Sequence, residues 1–370
     1  MIYLDYNATS PLRPSVVGAI EALGDLPLNP SSVHKSGRAA KKIIEDARIA
    51  LAQHLSCFAN EILWVGSGTE ANNMVLRGFA PTHTLLVGAT EHASVRTTAE
   101  RLGAAVLPVD EQGIIEPAGL HRMLAALGGA PALVSMMLVN NESGVIQPIA
   151  ELAAITRQHG ALLHCDAVQA FGKVPLDFGL LGVDMLTLCA HKVGGPVGVG
   201  ALVIRNDLPI APMFIGGGQE LGRRGGTENV RAIAAMRALI EDFASDFDAP
   251  KLHAWRAQLE SELRVVCPSL RIAGERTPRV ANTVQLTMPG VSSETQLMHF
   301  DLAGIAVSAG SACSSGRIDA SHVLRAMGWG IDEAREALRI SMGWNTKQAD
   351  IDACIAAWKT LAMRTGKTAA

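Results

Sequence analysis

Short apolar runs alternate with helical patterns between about residues 36 and 245. Seven runs are rich in Val, Leu and Ile with little polar alternation, as in strands buried on both faces. They cover residues 62–65, 84–87, 105–109, 132–139, 162–165, 185–189 and 199–204. Helical spacing marks 36–56, 69–79, 93–102, 117–127, 148–159 and 227–247. This alternation predicts an α/β fold around a mainly parallel seven-stranded sheet.

The regular alternation of strand and helix patterns ends at about residue 250. A long helix is predicted over 251–266, followed by shorter helices and strand-like stretches. The strand-like stretches are 280–288, 305–308 and 337–342, and the helices are 293–303, about 320–327 and a terminal one from 346. This mixture predicts a smaller α+β domain. The first fifteen residues have no strong pattern and are expected to pack across the domain junction.

Composition narrows the function classes. The 370 residues are 48% hydrophobic and 18% charged, which excludes wholesale disorder. A net charge of −3 offers no basic excess for nucleic acid or an anionic membrane. The first residues lack a signal-peptide pattern, and no apolar run approaches a membrane span. Six scattered cysteines without a C-x-x-C pair predict a reducing cytoplasm, with neither a disulfide framework nor a zinc site.

Two charged residues follow neighbouring buried strands. Asp166 directly follows one predicted strand, and Lys192 follows another and enters a Gly-Gly-Pro loop. Alone, Asp166 could be a cap and Lys192 a surface residue. Together they suit pyridoxal 5′-phosphate (PLP), because the lysine forms the Schiff base and the aspartate keeps the pyridine nitrogen protonated.

Two segments of glycine and other small residues add candidates for a phosphate site and for a reactive thiol. The turn from Gly66 to Thr69 lies between a strand and a helix, where bare N–H groups can hold phosphate, although an ordinary turn fits it equally well. Residues 308–316 are all small and contain one thiol, Cys313. Almost no side chains anchor this stretch, so we expect a mobile loop and a nucleophilic or redox role for Cys313.

The motifs in this order resemble PLP-dependent cysteine desulfurases of the NifS/IscS type, in the class V aminotransferase family. The resemblance covers nearly the whole chain and uses an ordered set of motifs. They are Tyr3–Thr9, Asn29–His34, Thr69-Glu70, Glu91-His92, Val139–Gly144, Asp166–Gln169, His191-Lys192, Gly216–Glu220, Arg224–Thr227, Ser311–Cys313 and His322–Arg325. The loop around Cys313 has the form found in the group with a long mobile catalytic loop. The resemblance implies a large domain of residues 16–250 and a small domain of 1–15 with 251–370.

The resemblance also implies roles. Lys192 would carry PLP and act as base and acid at the substrate Cα, while His92 would stack on the ring and relay protons. Cys313 would attack the substrate sulfur, releasing alanine and keeping a persulfide. Asn141 would contact cofactor and substrate, and Arg339 would bind the α-carboxylate of L-cysteine through its bidentate fork.

The remaining cofactor contacts divide between ring and phosphate. Asp166 would pair with the pyridinium nitrogen and Gln169 with the ring hydroxyl. The phosphate would be held by Gly68, Thr69 and His191, joined across a homodimer by Thr227. Sulfur-acceptor proteins, such as an iron–sulfur scaffold, would be the partners, with no direct role for nucleic acid or membrane.

One departure affects the phosphate site. Family members usually have a phosphate-binding Ser two residues before the histidine, where this chain has Cys189, a weaker donor. We therefore expect looser PLP retention. Two rivals stay open: another class V reaction, such as selenocysteine cleavage or transamination, and a catalytically silent subunit of a sulfur-transfer complex. The catalytic set of Lys192, Asp166, His92 and Cys313 disfavours the silent subunit.

Overall fold

A seven-stranded sheet forms the centre of the computed structural model, which describes residues 1–246, 248–309 and 319–366. The strands of these residues are β1 (Ile2–Tyr3), β2 (Ile62–Val65), β3 (Thr84–Gly88), β4 (Ala105–Leu107), β5 (Ala132–Met137), β6 (Leu162–Asp166), β7 (Met185–Cys189), β8 (Gly200–Ile204), β9 (Thr283–Thr287), β10 (Ile305–Ala306) and β11 (Ala337–Ser341). The large sheet has the order β2-β8-β7-β6-β5-β3-β4. The five strands β7, β6, β5, β3 and β4 are parallel to one another, and β8 is antiparallel to both of its neighbours. The predicted mainly parallel α/β fold is confirmed.

The described residues form thirteen α-helices, several of which cover the two faces of this sheet. The helices are α1 (Pro14–Glu21), α2 (Lys35–Leu55), α3 (Gly68–Phe79), α4 (Ala93–Arg101), α5 (Pro117–Ala126), α6 (Ile149–Gln158), α7 (Phe178–Leu181), α8 (Val230–Asp246), α9 (Ala249–Val266), α10 (Ser293–Leu302), α11 (His322–Ala326), α12 (Ile331–Arg335) and α13 (Gln348–Arg364). Strand β2 shows why its run is apolar throughout. Ile62 and Trp64 enter the core under α2 and α8, whereas Leu63 and Val65 enter the core under α3. Successive side chains of a strand point to opposite faces, and both faces are covered here.

A second core lies outside the large sheet. Here β1 pairs in parallel with β10, and β9 pairs antiparallel with β11. Leu4 from the start of the chain is buried in one cluster with Leu252 of α9 and Trp358 of α13. The first residues therefore pack against the end of the chain. None of the helices in the described ranges combines the length and apolar character that crossing a bilayer requires.

Some predicted boundaries were wrong. Strand β4 ends at Leu107, two residues before the predicted end, because Pro108 has no N–H for the ladder. Strand β5 ends at Met137, and the chain then turns so that Val139 bridges to Ile146. The short helices α7 and α12 were not predicted, since five residues or fewer carry too little periodicity to detect.

Candidate active site

Asp166 and Lys192 come from adjacent parallel strands, so both lie at the carboxyl edge of the sheet. Asp166 is the last residue of β6 and pairs in register with Thr187 of β7. It is 4% exposed. Its Oδ1 accepts from the Val168 N–H over 3.0 Å, and its Oδ2 accepts from Asn72 Nδ2 over 2.7 Å. A carboxylate fixed at this edge can pair with a cationic ring nitrogen.

Lys192 follows β7 by three residues and is half-buried. Its Nζ donates to the carbonyl of Ala8 over 2.8 Å. Burial lowers the pKa of Lys192, and the nearby Arg339 cation lowers it further. A lowered pKa favours the free amine that carbonyl chemistry requires.

The glycines after Lys192 have steric causes. A Cβ at Gly195 would lie 2.5 Å from the Cβ of Ala190, and Gly194 has a φ of +96°. Both observations explain the Gly-Gly pair, since the backbone folds back on the end of β7 and one residue adopts a left-handed conformation. The turn holds Lys192 at the sheet edge.

The Gly-rich turn forms the start of α3. Ser67 caps the helix by accepting from the Glu70 N–H over 3.1 Å, and the Glu70 carboxylate accepts from the Gly66 N–H over 2.8 Å. Gly68 and Thr69 are the first two helical residues. A Cβ on Gly68 would lie 2.8 Å from Val168 Cγ2, so only glycine leaves this approach open. The exposed helix N-terminus and Thr69 hydroxyl can hold a phosphate.

Two further residues border this helix start. Cys189 is buried, and burial raises its thiol pKa to about 11. Its Cβ would lie 3.9 Å from a Cβ on Gly68, so the thiol borders the proposed phosphate site. His191 is half-buried, with its Nδ1 3.3 Å from Thr9 Oγ1. Burial and the Lys192 cation lower the His191 pKa to about 4, which keeps its imidazole neutral.

His92 is held by a directed hydrogen-bond chain. The Asn72 amide nitrogen donates to Ser94 Oγ over 2.9 Å, which leaves the Ser94 hydroxyl proton free to donate to His92 Nδ1, 2.9 Å away. The Ser94 N–H also donates to His92 Nδ1. Two donors at Nδ1 fix the neutral tautomer with its proton on Nε2. Desolvation lowers the pKa of His92, outweighing the opposing effect of Asp166.

Arg339 on β11 contacts the first residues of the chain. Its Nη2 forms an ion pair with Asp5 Oδ1 at 2.6 Å, and its Nη1 donates to the carbonyl of Asn141 over 3.0 Å. Its Nε is buried with no partner among the described residues. A buried guanidinium N–H without a partner costs free energy, and it can donate a hydrogen bond to the carboxylate of a ligand.

Gln169 and Asn141 meet at Asn7. Gln169 Nε2 donates to the Asn7 carbonyl over 2.9 Å, while Asn7 Nδ2 donates to the carbonyl of Asn141 over 3.1 Å. Asn7 also donates to Thr283 Oγ1 of β9. The predicted ring and substrate contacts are therefore joined through the first residues of the chain to the second core.

The roles of two predicted site residues stay untested. Thr227 is exposed in a cleft of about 60 Å³ that Gly66 and Arg224 also line. Its contact with phosphate was predicted across a dimer, and it stays a prediction. Cys313 lies outside the described residues, so its predicted role and loop also stay predictions.

Sequence reasoning missed the residues that hold the site together: Asp5, Asn7, Asn72, Ser94 and Lys173. For Asn72 a signal existed. It occupies the apolar stripe of α3 with Val75, Leu76 and Phe79, and a polar side chain on a buried stripe needs partners. The others make contacts between distant segments, which no local pattern reveals.

The residues present fit PLP. A buried carboxylate, a lysine with a lowered pKa and a helix N-terminus cleared by glycine lie around one sheet edge, as a cationic ring, an aldehyde and a phosphate require. The fold and this set define a PLP-dependent enzyme of fold type I. The sequence model of the family described as aminotransferase class-V matches residues 2–354, and the chain belongs to this family.

Relatives match over nearly the whole chain. The chain is 37% identical to "Cysteine desulfurase IscS" of Dictyoglomus turgidum over 364 residues, covering 95% of this chain and 92% of the relative. A crystal structure of a NifS-like protein from Rickettsia africae superposes with a TM-score of 0.91 at 36% identity, covering 98% and 99% of the two chains. The structure of SspA in complex with cysteine gives 0.81 at 28% identity, covering 94% and 100%.

Proposed function

We propose that this chain is a PLP-dependent cysteine desulfurase that converts L-cysteine to L-alanine and transfers the sulfur as a persulfide. The observation that carries the proposal is the placement of Lys192 and Asp166 at adjacent strand ends of a class V fold. Relatives that match along the whole chain are named cysteine desulfurases, and the related SspA was solved with cysteine. A thiol at position 313 supplies the sulfur acceptor that an aminotransferase does not need.

The residue roles follow from the contacts. Lys192 would hold PLP covalently and move the proton at the substrate Cα, and Asp166 would keep the ring nitrogen protonated. Gln169 and His92 would contact the ring, and Gly68, Thr69, Cys189 and His191 would surround the phosphate. When bound, PLP withdraws electrons from the substrate and so weakens its C–S bond. Arg339, supported by Asn141, would bind the α-carboxylate, and His92 would present Nε2–H to the substrate.

The sulfur step balances with the chain's own thiol. The Cys313 thiolate would attack the substrate sulfur, so that an S–S bond forms as the C–S bond breaks. The electron pair of the C–S bond and a proton end at Cβ, which becomes the methyl group of alanine. One cysteine and one enzyme thiol give one alanine and one enzyme persulfide. No further oxidant or reductant is needed until an acceptor takes the sulfur.

Assembly and domain division are part of the same proposal. A homodimer would let Thr227 reach the partner's phosphate site, which fits its exposure in one subunit. The proposed domains are residues 16–250 and residues 1–15 with 251–370. Support comes from Val16, which is buried with the large sheet, and Leu4, which is buried with Trp358. The acceptors would include an iron–sulfur scaffold protein in the cytoplasm.

The purified protein's visible spectrum tests the proposal first. We expect a yellow band that Lys192→Ala abolishes and that Lys42→Ala keeps, since Lys42 is an exposed lysine paired with Asp46. L-Cysteine should then yield alanine. A colourless protein that added PLP cannot colour would contradict the proposal.

A further inference from the structure

Lys173 is a buried lysine that the proposed reaction does not use. It is 7% exposed and lies four residues after Gln169, in the turns that follow β6. Its Nζ donates to Gln169 Oε1 over 2.5 Å and to Asn7 Oδ1 over 2.9 Å. A charged side chain at such a buried site is costly unless it is hydrogen-bonded, as Nζ is here.

The lysine decides which way the Gln169 amide faces. An ammonium group has donors only, so it can face the Gln169 oxygen but not the Gln169 nitrogen. The opposite end of the amide donates one N–H to the Asn7 carbonyl. The second N–H of Gln169 Nε2 has no acceptor among the described residues and can therefore serve a ligand. In a reversed amide, N–H groups would face the ammonium, and two carbonyl oxygens would face each other at Asn7.

This orientation holds in both protonation states of Lys173. Burial, together with the nearby cations Lys192 and Arg339, lowers its pKa to about 7, with Cys189 opposing them. A neutral amine retains two N–H donors. Lys173 therefore donates to the Gln169 oxygen whether its amine is charged or neutral.

We propose that Lys173 is a positioning residue that holds the Gln169 amide with an N–H toward the phenolic oxygen of the cofactor ring. The inference rests on the proposed function, in which Gln169 contacts that oxygen. An ionised phenolic oxygen accepts hydrogen bonds and cannot donate them, so a reversed Gln169 would repel it. Lys173 thereby acts on the cofactor through Gln169.

A double-mutant cycle separates this role from a structural one. Lys173→Met keeps the side-chain volume, and we expect it to weaken PLP binding about tenfold, the effect of losing one good hydrogen bond. The visible band of the bound cofactor should shift. In a Gln169→Leu background, Lys173→Met should change neither the dissociation constant nor the band further, because no amide remains to orient.

The controls make each outcome decisive. Lys42→Met removes an exposed lysine and should leave both readouts unchanged. An unaltered band and affinity in Lys173→Met, or additive effects of the two substitutions, would overturn the inference. If Lys173→Met does not fold, Lys173→Ala in the same cycle gives the same comparison. Failure of the wild-type protein to bind PLP would instead contradict the proposed function.

Discussion

The side-chain nitrogen of Asn72, a residue that is 1% exposed, donates to Asp166 Oδ2 over 2.7 Å. The same nitrogen donates to Ser94 Oγ, which in turn reaches His92 Nδ1. One amide of α3 thus orients both the carboxylate beneath the proposed ring position and the histidine that would lie against the ring. Asp166 ends β6 and Ser94 lies in the first turn of α4, and Asn72 keeps the two in a fixed relation.

Removing that amide should loosen the cofactor. We expect Asn72→Ala to weaken PLP binding about tenfold, because a charge-assisted hydrogen bond to Asp166 is lost. A PLP titration by visible absorbance measures the change. Asn206→Ala is the control, since Asn206 contacts only Asn60 among the hydrogen bonds of the described residues. Unchanged affinity in Asn72→Ala would show that Asp166 needs no support from α3.

Restoring a hydroxyl at position 189 should tighten the phosphate site. Cys189→Ser offers a stronger donor beside the start of α3, and we expect PLP affinity to rise by about threefold to tenfold. Equilibrium dialysis of PLP from the two proteins measures it. Cys165→Ser is a matched control, because Cys165 is also buried, one residue before the end of its strand, but belongs to the apolar core. Equal or weaker retention in Cys189→Ser would refute the account of this site.

Substrate binding should depend on the shape of the Arg339 side chain. Arg339→Lys keeps the charge but loses the bidentate fork, so we expect KM for L-cysteine to rise about tenfold to a hundredfold. The visible band of bound PLP should stay in place. Arg271→Lys, at an exposed arginine paired with Glu333, is the control. A change in kcat with KM unaltered would argue against carboxylate binding by Arg339.

The sequence predicted the fold well because each buried strand is a short apolar run that can be recognised from its own residues. Strands β2 and β7 have the predicted limits, and Asp166 and Lys192 could be placed at one edge because parallel strands end together. Asn7 and Lys173 could not be predicted. Asn7 contacts residues more than 130 positions away, and Lys173 follows an ordinary turn. Networks of this kind depend on tertiary packing, which leaves no local periodicity.

His164 should make the protein sensitive to acid. It is buried between Ser135 and Thr187, as expected of a core histidine, and burial lowers its pKa from 6.5 to about 3. Between these two pKa values His164 is protonated in the unfolded chain and neutral in the folded chain. The stability due to the neutral ring is complete above pH 6.5 and is lost as pH falls toward 3.

Urea midpoints measured across that range test this effect. His164→Gln should lower the midpoint near neutrality and flatten its fall on acidification. His121→Gln, at an exposed position, should keep the wild-type slope. An equally steep fall in His164→Gln would assign the acid sensitivity to other groups.

Alanine formation from L-cysteine by the PLP-loaded protein and its Cys313→Ser variant tests the central claim most directly. The wild type should produce alanine and, with a thiol reductant, an equal amount of sulfide. Cys313→Ser should keep the yellow colour of bound PLP and form no alanine. Full turnover in Cys313→Ser, or a keto acid in place of alanine from the wild type, would contradict the account.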